Sequence, residues 1–198
     1  MADKTAHKAR TRARILDEAA KALRVGGTEG ISVADLMKRA GLTHGGFYAH
    51  FANRDDLVAH AIDRMFEDSA AMLERFLSQA SNVQTAPTGL TGLIDYYLSP
   101  SRMRALDRGC PLPALVGEAA RMPPAARARF ETGVIAFREA LTRVFVAMDK
   151  ADPEVMATSL LAEMVGTLAL ARTLGDEAAS ETMLAAARVN LKARLGLE

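Results

Sequence analysis

An all-α fold is predicted for this 198-residue chain by three observations. Apolar residues recur at i, i+3, i+4 and i+7, as in Val33, Leu36, Met37 and Ala40. Alanine, leucine, arginine, glutamate and methionine are abundant while proline occurs only seven times, a composition that suits helix interiors. No run of alternating β-branched residues is long enough to build a sheet. The length allows one large domain or a small one joined to a larger one, with ample material for a core.

Taken in order, the segments resolve into about nine helices. Ile15, Ala19, Ala22 and Leu23 make an apolar stripe on a helix over 11–25 that Gly26 and Gly27 end, with Lys4 and Lys8 in a disordered arm before it. Ser32, followed by Asp35 three residues on, is a good N-cap for a helix to Ala40. Gly41 stops that helix, Leu42 plugs the corner, and Thr43 caps a further helix to about His50. Asn53 caps a long helix carrying Leu57, Ala61, Met65, Met72, Leu73 and Phe76 to about Gln79. A loop begins at Ser78 and gives way to an apolar helix over 90–98, which Pro100 ends before a short basic connector over 102–108.

A helix over 112–121 follows Gly109-Cys110-Pro111. The pair Pro123-Pro124 opens the next, to about Met148, with Phe130, Val134, Phe137, Leu141, Val144 and Phe145 along one side. Asp152-Pro153 starts another to about Leu174, and Ser180 caps the last to about Leu195. These segments group into a three-helix head at 1–54 and a larger helical bundle at 55–198.

Charge separates the same two regions. Residues 1–54 hold ten Lys and Arg against five Asp and Glu, a net +5 that leaves −4 for the remainder. A basic head on a mildly acidic body suits a protein whose head meets phosphate. The stretch 32–51 specifies how. Helix, tight turn and helix make a helix-turn-helix, whose second helix lays its N-terminal residues against base edges in the major groove.

From residue 11 to about residue 60 the chain resembles the DNA-binding domain of the tetracycline-repressor (TetR/AcrR) family. The resemblance lies in Gly41-Leu42-Thr43-His44-Gly45-Gly46-Phe47-Tyr48-Ala49-His50-Phe51, followed by Asn53-Arg54-Asp55-Asp56-Leu57. The turn glycine, the aromatic residues Phe47, Tyr48 and Phe51, and the capped helix fall in one unbroken frame. Two positions depart from the family pattern: His44 stands where lysine is frequent, and Gly46 where a small hydroxyl residue or alanine is frequent. Both face the groove, so no operator sequence carries over.

Thr43, His44, Gly45 and Gly46 are the expected groove-facing end, where two glycines weaken the helix by roughly 1 kcal/mol each relative to alanine but permit close approach. Phe47 and Phe51, four apart, are expected in the core, whereas Tyr48 and His50 fall off that stripe and reach phosphate oxygens. Ser32 and Arg54 resemble the family's phosphate-clamping positions, which orient the head without reading sequence.

In the body, Tyr96, Tyr97, Met103, Phe137 and Met164 belong to an aromatic and methionine set that is core and also material for an apolar pocket. Cys110 has two readings. It is either a buried small apolar residue or, with Arg104 and Arg108 close in sequence, a thiol of lowered pKa that senses electrophiles, as the resemblance implies for some members. The last two long helices carry more apolar surface than one side needs: Ala157, Leu160, Leu161, Met164, Leu168 and Ala171 on one, Met183, Leu184, Ala187, Val189 and Leu191 on the other. The family uses these helices for a homodimer, and two recognition helices roughly 34–36 Å apart read a palindrome.

No metal site, cofactor or catalytic constellation is expected: His60 lacks a second imidazole in ligand spacing, and His44 and His50, six apart, fall on different helix faces. One cysteine excludes an internal disulfide framework, and no targeting signal or stretch of about 18 apolar residues is read, which places the chain in the cytoplasm without a membrane partner. The reading is a ligand-responsive transcriptional regulator. It acts as a repressor that binds a double-stranded palindromic operator as a homodimer and is released by an apolar or electrophilic small-molecule effector. The alternative is a helical ligand carrier or small enzyme without DNA binding.

Overall fold

The computed structural model describes residues 2–197, and among them every regular element is helical. The α-helices are α1 (Ala2–Gly26), α2 (Val33–Arg39), α3 (Arg54–Leu77), α4 (Ala86–Tyr97), α5 (Pro100–Arg104), α6 (Leu112–Leu115), α7 (Pro124–Ala147), α8 (Pro153–Ala171) and α9 (Glu177–Leu195). Two 3-10 helices, His44–Ala49 and Ala119–Arg121, complete the set.

Several elements differ from their sequence-based expectation, each for a local reason. α1 begins at Ala2 rather than near residue 11, so Lys4 and Lys8 stand on a helix and not in a disordered arm. The residues before Ile15 are rich in alanine, lysine and arginine and free of glycine and proline, and a helix nucleated on its buried stripe propagates through them. Pro100 does not end α4. It is the first residue of α5, with Ser99 as N-cap accepting from the Arg102 amide at 3.3 Å. The single helix expected over 112–121 is split into α6 and a 3-10 turn, with Gly117 in the gap.

Ser180 does not cap α9. Asp176 does, its carboxylate accepting from the Ala178 amide at 2.9 Å, while Ser180 sits inside the helix and donates to the carbonyl of Ala171 at 2.9 Å. α8 is also an exception to the expected lack of a membrane-length apolar stretch, since by length and composition alone, at mean hydropathy 1.4, it is apolar enough to cross a bilayer. The reason is that both of its faces are apolar. Leu160, Met164 and Leu168 are buried, and the opposite side shows Val155 and Leu170 to solvent.

The chain divides into two compact units, one comprising the residues up to Glu67 with Asp107–Gly133, the other Asp68–Leu106 with the residues from Val134 on. The first takes in the whole expected head. Its core is Ile15, Leu23, Leu36, Met37, Phe47, Phe51, Leu57, Ile62 and Met65, all essentially buried. The second is centred on Leu93, Tyr97, Phe137, Phe145, Met164, Leu184 and Leu191. There, Arg172 donates to the carbonyls of Arg102 (3.0 Å) and Met103 (3.3 Å), and Lys192 pairs with Asp95 at 3.0 Å.

Within the first unit, Phe66 packs edge-on against Phe130 with ring centroids 5.6 Å apart, and a Cβ added at Gly133 would overlap the Phe66 ring. Replacing Gly133→Val is therefore expected to destabilise the protein by about 1–3 kcal/mol despite the better helix propensity of valine. Chemical denaturation of the two proteins side by side measures it; an unchanged midpoint would contradict the packing.

Candidate nucleic-acid interface

Two well-formed helix ends frame the turn. Ser32 caps α2 from an extended conformation, its hydroxyl accepting from the Asp35 amide at 3.3 Å. At the other end Gly41 adopts φ +66°, with its amide bonded to the carbonyl of Lys38 (3.0 Å) and the Leu42 amide to that of Met37 (2.8 Å). This is a Schellman motif, and a side chain at Gly41 would meet the left-handed penalty of about 1–2 kcal/mol.

The second helix of the motif is 3-10 rather than α. Thr43 holds the N-cap position in an extended conformation, but its side chain makes no capping hydrogen bond, contrary to the expected role. Six residues that include two adjacent glycines have too little propensity to make an α-helix alone. What fixes them is the burial of Phe47 and Phe51 at 1% and 2% exposure, with the Phe51 amide bonded to the Phe47 carbonyl at 3.1 Å.

The tighter winding decides which side chains face out. His50 follows the 3-10 turn as its C-cap, its amide donating to the Phe47 carbonyl at 2.9 Å, and turns partly inward. It is half-buried, and its Nδ1 is enclosed without a hydrogen-bond partner. Tyr48, at 67% exposure, stays in solvent, braced edge-on by Phe47 at 5.3 Å and by His44 at 6.3 Å. Thr43, His44 and Gly45 are exposed. A Cβ at Gly45 would meet nothing within 4 Å, and one at Gly46 would touch only Met37 and Thr43 at ordinary distances. Neither glycine is demanded by internal packing.

Positive charge lies beside Phe51 and His50. The Arg12 guanidinium lies 4.7 Å over the Phe51 ring, and the rings of His50 and His60 stand 6.5 and 6.3 Å from the same ring. Burial, then Lys8, then Arg12 push the His50 pKa below its ordinary value. His60 is likewise held low by burial, Arg12 and Arg129, against the opposing pull of Asp56 at 3.4 Å. Lys8, expected in a disordered arm, and Arg12, not singled out from sequence, lie four apart on α1, a spacing that puts both on one helix face.

Arg54 stands at the start of α3 as expected, but its guanidinium is engaged internally. It donates to the carbonyl of Thr28 and, at 3.3 Å, to that of Ile31, so it clasps the loop between α1 and α2. Asn53 caps α3 through the Asp56 amide (2.9 Å), and Asp56 returns a bond to the Ala52 amide (3.0 Å). Among the described residues no group of three or more His, Cys, Asp or Glu side chains is placed to hold a metal ion.

The expected effector residues fall in both units. Tyr97 meets Phe137 edge-on at 6.2 Å, and Met164 is fully buried. Tyr96 packs tilted against Phe76 with ring centroids 5.2 Å apart, and the guanidinium groups of Arg75 and Arg102 lie 5.8 and 5.4 Å from its ring centre. Met103 lines a shallow cleft of about 230 Å³ with Leu106, Arg172 and Leu174. Cys110 belongs to the other unit, at 9% exposure. The arginines expected to activate it have carboxylate partners: Arg104 pairs with Glu177 and, at 2.5 Å, with Glu181, and Arg108 with Asp107 at 3.5 Å.

Comparison with known proteins bears on these observations. Residues 15–61 match the family model described as bacterial regulatory proteins, tetR family, and residues 86–187 match that of the tetracyclin repressor-like C-terminal domain. The fold is similar to that of the reduced form of Escherichia coli NemR, with a TM-score of 0.80 at 17% identity over 93% of this chain and 96% of that one. A TetR transcriptional regulator of Chloroflexus aurantiacus gives 0.80 at 24% identity over 96% of both chains. One from Agrobacterium tumefaciens gives 0.78 at 18% over 92% of this chain and 98% of that one. No curated protein matches by sequence.

The two histidines set a pH dependence whose sign is fixed. Both stay neutral in the folded head at a pH where the unfolded chain, with histidines near their ordinary value of 6.5, takes up protons. Their contribution to stability is present above that value and is lost as pH falls below it toward the folded values. The melting temperature is expected to drop between about pH 7 and pH 5, with a shallower slope in a His50→Asn, His60→Gln double variant. Thermal melts across that range check it, and equal slopes would refute the assignment.

Proposed function

The chain belongs to the TetR family of bacterial regulatory proteins, and from that premise we propose that it is a homodimeric repressor released from a palindromic operator by a small-molecule effector. The observation that carries the DNA-binding part is the edge Thr43–Gly46 with Tyr48: exposed at Thr43, His44, Gly45 and Tyr48, half-buried at Gly46, free of internal packing demands at Gly45, and backed by two buried phenylalanines. Base edges meet the residues at 43–46. Phosphates meet Tyr48, the outward edge of His50 and the cations Lys8 and Arg12 beside it, while Ser32 and Arg54 orient the flanking helices. Affinity drawn from phosphate neutralisation falls with salt.

The dimer reading is supported by the outward faces of α8 and α9. Val155, Leu170 and Val189 are 68%, 59% and 63% exposed, and Ala162, Gly166, Ala186 and Ala193 lie on the same helices without charge. A small-residue apolar face of this kind suits close packing against its symmetry mate. It also accounts for the apolar character of α8 in a protein that meets its operator in the cytoplasm. The effector is an apolar or electrophilic small molecule held in the body, and release is a population shift toward dimers whose heads no longer match successive major grooves. The protein acts by binding and not by catalysis.

Two variants test the parts separately. Gly45→Leu fills open space, so its melting temperature is expected to stay within about 2 °C of wild type while affinity for the upstream intergenic duplex drops at least tenfold, roughly 1.4 kcal/mol. Fluorescence anisotropy reads it, and full affinity would refute the groove-facing edge. Ala162→Arg with Val189→Glu is expected to give folded monomer in sedimentation velocity at concentrations where wild type is dimeric; a persistent dimer would move the interface elsewhere.

A further inference from the structure

We infer that Glu118 is a positioning residue that holds the DNA-contacting edge in register through Thr28, an inference that rests on the DNA-binding reading above. Its carboxylate accepts two hydrogen bonds from one residue, the Thr28 amide at 2.8 Å and the Thr28 hydroxyl at 2.7 Å. Gly27 beside it has φ +67°, and the Glu118 carboxylate occupies the place a Gly27 side chain would take. The chain at 27–28 and the carboxylate are thus shaped to each other. Charge-assisted bonds of this kind are about twice as strong as neutral ones.

Thr28 passes the constraint on. Only 9% exposed, it offers its carbonyl to Arg54, which also grips the Ile31 carbonyl immediately before the Ser32 cap of α2. Residues 27–32 are the sole covalent link between α1 and α2, so their placement sets α2, the turn at Gly41 and the edge beyond it. The other side of the same segment is tied as well. Arg24, 7% exposed, donates to the Gly109 carbonyl at 2.8 Å and to that of Met65 at 3.4 Å. The stretch from Gly109 to Glu118, containing Cys110 and α6, is therefore pinned at one end to α1 through Arg24 and at the other to the α1–α2 loop through Thr28.

Breaking one pin has a specific consequence. Without the carboxylate, the Thr28 amide loses its partner in a largely buried site, and the loop that Arg54 clasps relaxes. Whatever displaces the 109–118 segment pulls on the same bonds, which gives the regulator a short physical route from that segment to its DNA edge.

The test uses full-length Glu118→Ala, Glu118→Gln and Thr28→Val with the intergenic duplex upstream of the protein's own coding sequence, read by anisotropy over a salt series and by hydrogen exchange at the Thr28 amide. Glu118→Ala is expected to bind about 10- to 30-fold more weakly, with a log K against log salt slope shallower by about 1–2 and faster exchange at Thr28. Glu118→Gln, which keeps one acceptor, is expected to fall between it and wild type. A purely structural role lowers the melting temperature and leaves the affinity and salt slope of the folded protein alone, and that result overturns the inference. Should Glu118→Ala fail to fold, Thr28→Val carries the same comparison. Wild-type protein that does not bind DNA at low salt overturns the DNA-binding reading and this inference together; wild-type binding with unchanged variants overturns this inference alone.

Discussion

The exposed edge of the head at Thr43–Gly45 depends on the burial of Phe47 and Phe51. His44–Ala49 is six residues long and contains two adjacent glycines, too short and too weak a helix former to persist unaided. Both phenyl rings lie in the head core with Leu36, Met37 and Leu57. Because the anchors sit at the C-terminal end of the segment, the N-terminal end can carry glycine and stay defined. The turn at Gly41 fixes the entry and the Asn53 cap fixes the exit. The segment is thus positioned from three sides without using any side chain from Thr43 to Gly46.

The same burial explains the electrostatics. His50, capping the 3-10 turn beside Phe51, loses solvation and meets the cations of α1. Arg12, half-buried on the face of Phe51, contributes both packing and positive charge beside His50. The net +5 of the first 54 residues is thereby organised. Part of it, in Arg24 and Arg54, is directed at backbone carbonyls and holds the head together, and part, in Lys8 and Arg12, stands beside His50.

In the second unit, arginine again serves as a backbone clasp. Arg172 and Arg188 reach the carbonyls at the ends of α4 and α5, where helix termini leave acceptors unfilled. Arg104 is held between two carboxylates of α9. Sequence proximity to Cys110 therefore says nothing about where its charge acts, whereas the apolar faces of α8 and α9 remain available on their outer sides.

The sequence by itself determined the all-α class, the turn at Gly41, the caps at Ser32 and Asn53, the two buried phenylalanines and the family, because each rests on local rules: periodicity, a positive φ that favours glycine, and side chains that cap their own helix. It also placed most helix starts, where proline or a capping residue acts within four positions. Only the tertiary structure decided the winding of residues 44–49, the inward turn of His50, the internal use of Arg54, the capping of α9 by Asp176 and the bond from Glu118 to Thr28. Those outcomes depend on partners distant in the chain, or on competition between neighbouring groups of similar propensity. The balance is settled by which of them can be buried and hydrogen-bonded together, a quantity no local pattern encodes.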